Sequence, residues 1–183
     1  MRIIAGTHRG VPLTPLGKGD AGAHLRPTSD RVRESLFSML VSRDAISGAR
    51  VLDLFAGTGA LGLEALSRGA QEALFVENGR VGQRLVRENI ARLRVEDRAR
   101  LMRNDATSLV AWPGGRFDLV FLDPPYGKGM GQRALEAVRA GGWLLPGALV
   151  VWEESAAMDA PDGFTRTDAR RFGDTHVTFL TAD

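Results

Sequence analysis

The spacing of apolar residues divides the chain into three stretches. From Val32, apolar side chains recur at Leu36, Met39 and Leu40, while Arg31, Glu34, Ser35 and Ser38 lie off that face. This is helical spacing. Thr28 stands where a cap belongs, and Asp30 falls in the first turn, where the helix dipole favours an anion. From Arg50 onward, short apolar runs alternate with helical patterns. Val51–Phe55 reads as a strand, Ala60–Arg68 as a helix stopped by Gly69, and Ala73–Val76 as a second buried strand. Val81, Leu85, Ile90 and Leu93 mark a helix over 80–94. A weaker strand lies near 100–103, a strong one over Phe117–Leu122, a helix over 131–140 and a fifth strand over 149–152. In the third stretch, strand-like segments at Phe164–Phe172 and Thr175–Leu180 flank Gly173-Asp174, a two-residue hairpin connection.

Apolar strands separated by helices predict a parallel sheet covered on both faces. The terminal hairpin adds antiparallel strands to it. Residues 1–26, rich in glycine and proline, predict a short strand at Arg2–Ala5, a possible partner strand and a loop. The division expected is a basic extension over 1–43 and an α/β domain over 44–183.

Composition adds exclusions. At 183 residues the chain is long enough to bury a sizeable core. It contains no cysteine, which excludes disulfides, thiol catalysis and thiolate metal sites. No apolar run suggests a membrane span, and no apolar segment after Arg2 suggests a signal peptide, so a cytoplasmic protein is expected. His8, His24 and His176 share no ligand spacing, so no metal site is expected. Net charge is +2, but residues 1–43 carry +4 and the remainder −2. A basic segment on a near-neutral body suits an anionic partner such as nucleic acid.

Two motifs carry chemistry. Gly57, Gly59 and Gly62 form a G-x-G-x-x-G turn between the first strand of the series and its helix. Glu77 ends the next strand, 20 residues after Gly57, where an acid binds ribose hydroxyls. Taken alone, this reads equally well as a dinucleotide site. Asp53 shifts the balance: an acid beside a pyrophosphate is unfavourable, whereas the sulfonium and α-ammonium of S-adenosylmethionine tolerate or pair with one. Asp105, followed by Ala106, stands after the third strand, placed to accept from an adenine amino group, to cap a helix, or to do both.

Asp123-Pro124-Pro125-Tyr126 follows the strongest strand. Strand carboxyl ends are where ligands sit in open α/β sheets. Two prolines fix the backbone, and Pro125 brings no N–H to compete for the Pro124 carbonyl. That carbonyl and the Asp123 carboxylate make two acceptors for the two hydrogens of an exocyclic amino group. Such bonds favour a tetrahedral nitrogen with its lone pair free to attack, and positioning supplies much of the rate. Whether Asp123 or water takes the proton stays open. Tyr126 offers a stacking face, worth about 1–3 kcal/mol per base.

With these residues in place, the chain resembles the RsmD family of bacterial methyltransferases. The resemblance rests on Arg2-Ile3-Ile4-Ala5-Gly6 with Arg9-Gly10, on Arg26-Pro27-Thr28 followed by Asp30–Glu34 and Leu36-Phe37, on 53–62 running to 64–70, and on 123–126. It implies a seven-stranded methyltransferase sheet and transfer of methyl from S-adenosylmethionine to the N2 of a guanine in small-subunit (16S) ribosomal RNA. Asp53, Ala56, Gly57, Gly59, Glu77, Asn78, Asp105 and Ala106 would then hold the cofactor. Arg26 and Thr28 would approach its methionine end, with RNA contact as the rival. Asp123, Pro124, Pro125 and Tyr126 would hold guanine, and Arg2, Arg9, Arg31 and Arg33 would meet RNA. Thr58 stands for a common serine, Asn78 for a common acid, and Phe172-Gly173 for a frequent Tyr-Gly. A monomer is expected. A DNA adenine or cytosine amino methyltransferase, a protein glutamine methyltransferase and a nucleotide-binding or NAD-dependent protein are the competing readings.

Overall fold

The computed structural model describes residues 1–17, 25 and 28–183. Seven strands form one sheet in the order β3-β2-β1-β4-β5-β7-β6. They are β1 (Arg50–Leu54), β2 (Glu72–Val76), β3 (Ala99–Met102), β4 (Phe117–Leu122), β5 (Leu144–Glu154), β6 (Phe164–Phe172) and β7 (Thr175–Ala182). The first five are parallel. β7 inserts antiparallel beside β5 and pairs on its other side with β6, as the hairpin signal at Gly173-Asp174 predicts.

Alternation along these strands makes two cores. Val51, Leu119, Phe121, Val151 and Phe179 point to one face, beneath helices α1 (Asp30–Ser42), α2 (Ala60–Ser67) and α3 (Arg80–Leu93). Leu52, Leu54, Val120, Leu122, Val150 and Trp152 point to the other, under α4 (Met130–Ala140). The helix phases agree: Leu36, Phe37 and Leu40 of α1 and Ala134, Leu135 and Val138 of α4 are all buried. No helix among the described residues is long and apolar enough to cross a membrane.

Three details depart from the sequence reading. Arg2–Ala5 is not a full strand: the Arg2–Pro12 bridge, with the Ile3 amide donating to the Val11 carbonyl and the Gly10 and Leu13 amides to those of Ile3 and Met1, is as far as the pairing runs. The amides of Ile4 and Ala5 instead donate to the Glu64 carboxylate, and that of His8 to the Ser67 hydroxyl. Side chains of α2 thus take the hydrogen bonds that a partner strand would have supplied. This ties the N-terminal segment to the domain, and Ile3 and Leu13 join the core beneath α1. Next, Ser29 rather than Thr28 caps α1, accepting from the Val32 amide. Last, β5 begins five residues before Leu149, through an irregular register against β4. Pro146 and Gly147 interrupt the apolar pattern there, which hid the extension.

Candidate functional site

The site lies at the carboxyl ends of β1, β2, β4 and β5. The Gly-rich turn comes first. Phe55 leaves β1 at φ +59, a strained conformation for a bulky residue, and Gly57 and Gly59 follow with φ +58 and +78. Two buried acids close the turn. The Gly62 amide donates to Asp53 Oδ2 at 2.9 Å, which satisfies a free N–H at the start of α2. The Gly57 amide donates to Glu77 Oε2 at 2.9 Å, and the Gly79 amide to Glu77 Oε1 at 2.7 Å. Gly62 is required sterically: a Cβ would stand 2.5 Å from Phe75 Cε1 and 3.0 Å from Asp53 Oδ2.

Above this turn opens a cavity of about 520 Å³. Asp53, Ala56, Gly57, Glu77 and Asn78 line one side, and Asp123 to Tyr126 the other. Gly59 lies in the turn beneath. Asp105 and Ala106 are not on the cavity wall. Asp105 Oδ1 accepts from the Thr107 amide and hydroxyl, the capping alternative, and Ala106 is buried beside it. Arg26 lies outside the described residues. Thr28 reaches the cavity from the start of α1, with its hydroxyl donating to Glu153 Oε2 at 3.1 Å.

Arg33 corrects an expectation. It does not face RNA: its side chain is fully buried, because Asp30, the Arg2 carbonyl and Glu64 draw the guanidinium inward. It forms part of the cavity wall, and its Nε and Nη1 have no hydrogen-bond partner among the described residues. Arg2, Arg9 and Arg31 are exposed.

The cavity is strongly acidic. Asp53 and Asp123 stand on the same face of neighbouring strands, and Glu153 follows them on β5. Burial pushes Asp53 up to about 8, with Glu77 and Glu153 adding repulsion against the Gly62 hydrogen bond. Burial also raises Asp123 well above the usual carboxylate range, and Glu153, Asp53 and Glu154 add to it. Glu153 rises to about 7 through burial, eased by the Thr28 hydroxyl and the Arg33 charge. Burial, then the Asp123 charge, lifts Tyr126 to about 12, so its phenol stays neutral. Near neutral pH the raised carboxyls are largely protonated; a cation would favour their ionised form, and once ionised they would repel a pyrophosphate.

Sequence reasoning missed Glu153 and Glu154, which sit at a strand end and resemble a solvated edge. Both are buried. Glu154 accepts from the Gly127 and Ser155 amides and pins the turn that carries Tyr126. It also missed Gly82, where a Cβ would meet Glu77 Cδ at 2.7 Å.

A family model described as conserved hypothetical protein 95 matches residues 1–181. Ribosomal RNA small subunit methyltransferase D of Escherichia coli (strain K12) is 41% identical over 163 residues, 88% of this chain and 78% of that protein. The protein of the same name from Haemophilus influenzae is 34% identical over 170 residues, 90% of this chain and 85% of that one. Among solved structures, the putative methyltransferase yhhF from Escherichia coli has a TM-score of 0.85 at 35% identity, covering 100% of this chain and 98% of that chain. An RNA methyltransferase from Salinibacter ruber, in complex with S-adenosyl-L-homocysteine, shares the fold at a TM-score of 0.63 and 20% identity, covering 86% and 94%.

Proposed function

This chain belongs to the conserved hypothetical protein 95 family, that of ribosomal RNA small subunit methyltransferase D, and we propose that it methylates the N2 amino group of one guanine in 16S ribosomal RNA. The observation that carries this reading is the Asp123–Tyr126 turn, set between a cation-seeking cavity and a second, open groove.

The residues present fit S-adenosylmethionine. When bound, it supplies a methyl group on a cationic sulfur, beside a cationic ammonium. Asp53, Asp123 and Glu153 provide the counter-charge. Arg33, buried beside the wall, brings a positive charge for the methionine carboxylate. Glu77 stands where ribose hydroxyls are held, while its two oxygens already fix the backbone at Gly57 and Gly79.

On the other side, Asp123 and the Pro124 carbonyl accept the two hydrogens of the guanine amino group. They draw the nitrogen lone pair out of conjugation and direct it into the cofactor cavity. Tyr126, neutral at physiological pH, stacks on the base. A target in a helix must be flipped out to reach the turn. Arg2, Arg9 and Arg31 meet RNA phosphates, an attraction that salt weakens. One copy of the chain supplies both halves of the site, so we read it as acting alone.

The test is transfer of labelled methyl from S-adenosylmethionine to small-subunit particles from cells lacking this protein, followed by nucleoside analysis. Label in N2-methylguanosine, lost with Asp123→Ala, is the expected result. No label in RNA would sink the ribosomal assignment and turn attention to DNA and protein substrates.

A further inference from the structure

The groove beside the cofactor cavity is about 840 Å³ and is built from four separate segments. Arg31 of α1 and Arg171 at the β6–β7 turn stand on its rim, both exposed. Glu153 forms part of its wall and is only 2% exposed. Thr28 and Tyr126 belong to both the groove and the cofactor cavity, so the two spaces meet there, with Asp123 on the cofactor side. Two arginines and one acid, Asp174, outside, with the buried Glu153 within, suit a nucleotide with its phosphates at the arginines and a donor-bearing base edge inside.

The acids narrow the class further. Asp123 and Glu153 lie side by side, one residue beyond the Leu122–Trp152 pair of β4 and β5. Two adjacent acceptors require two adjacent donors. Guanine alone among the four RNA bases presents them, as N1–H beside the N2 amino group. Adenine and cytosine place a ring acceptor next to their amino group, and uracil flanks its one N–H with carbonyls. We infer that Glu153, aimed by the Thr28 hydroxyl, accepts from guanine N1–H and is the residue that selects guanine in this groove. Thr28 is then a positioning residue, with its hydroxyl 3.1 and 3.4 Å from the two Glu153 oxygens. This inference rests on the proposed amino methylation and adds the group that chooses the base.

The test replaces the methylated guanine, once mapped, by 2-aminopurine in reconstituted small-subunit particles, using ligated RNA. 2-Aminopurine keeps the 2-amino group, but its N1 accepts instead of donating. The full-length wild-type protein should prefer guanine by about 10- to 100-fold in kcat/KM, the range expected for one hydrogen bond to a charged group. Glu153→Gln can donate to that N1, and its preference should fall below about fivefold. Loss of O6 in the analogue affects both proteins alike and cancels in the ratio. Thr28→Val, which leaves Glu153 in place but unaimed, should fall between them, and it stands in for Glu153→Gln if that variant no longer binds S-adenosylhomocysteine. Equal preference in the wild-type protein, or equal losses on both substrates in the variants, would overturn the inference while amino methylation stands. A wild-type protein that methylates no guanine would overturn the reading beneath it as well.

Discussion

The two halves of the site are built in opposite ways. The cofactor half is local: the turn over 55–62 is closed by Asp53 from the strand before it and by Glu77 from the next strand. The base-binding half gathers 28–35, Tyr126, 153–155 and 171–175 beside the Asp123 end of the cofactor cavity, and these meet only because β5 lies between β4 and β7. In the first half, acids hold backbone amides. In the second, the acids Asp123 and Glu153 remain largely for the ligands. A local turn fixes a shape that any nucleoside cofactor can use, whereas a site assembled at long range can be tuned to a single base.

Mutation should separate the halves. Asp123→Ala removes an acceptor from the reacting amino group and should lower kcat by about 10²–10³-fold. Its affinity for S-adenosylhomocysteine, a neutral thioether, should change only a few-fold in a calorimetric titration. A matching loss of affinity would show that Asp123 serves the cofactor half instead. Gly62→Ala should do the reverse. Its Cβ would overlap the Phe75 ring edge and crowd Asp53, for a loss of about 1–3 kcal/mol in denaturant unfolding. Cofactor affinity should fall with it, since the turn cannot keep its shape.

The acids of the two halves together make a pH prediction. Asp53 at about 8 and Glu153 at about 7 are raised, as is Asp123 in direction. A raised carboxyl adds stability that is complete below the ordinary carboxylate range and is lost as pH rises through its folded value. The cofactor-free protein should therefore become less stable between pH 6 and 8.5. Binding a cation favours the ionised acids and releases protons, so affinity for S-adenosylmethionine should rise about tenfold over that window. S-adenosylhomocysteine, without the sulfonium, should show a smaller rise. Titrations in two buffers of different ionisation enthalpy would count the protons. A flat profile would mean that the acids are already ionised in the empty protein.

What the sequence revealed follows the same division. Phe117–Leu122 has the predicted bounds because both faces of that strand are buried from Leu119 on and only Asp118 breaks its apolar run. The glycine turn and Glu77 were legible from spacing, since the contacts they make are near in sequence. Arg33 was misplaced: an arginine in a helix beside Arg31 looks solvated until Glu64, from a different helix, is seen to draw it inward. Glu153 gave no signal, because its meaning depends on Asp123, 30 residues earlier, and on Thr28 across the sheet. Thr28 itself looked like a helix cap, and only the neighbouring Ser29 taking that role left its hydroxyl free for Glu153. Side chains whose function lies in a long-range partner carry no pattern along the chain.

The smallest expected effect tests where the base-binding half ends. Arg2, Arg9 and Arg31 are exposed, but they are not equivalent. Arg31 lines the groove, whereas Arg2 sits at 3.9 Å from Asp30 and is partly neutralised by it. Arg9 lies in the loop that Gly6 and Gly10 close over α2. If all three meet phosphates, each change to Gln should weaken particle binding a few-fold and lower the slope of log affinity against log salt by about 1. Arg31→Gln should also raise KM for methyl transfer, since a phosphate at the rim orients the nucleotide within. A loss of salt slope for Arg31 alone would confine the RNA footprint to the groove and make the remaining N-terminal charge a solvated surface. Equal losses at Arg9 and Arg31 would carry the footprint across the N-terminal loop, joining the two ends of the basic segment into one track for RNA.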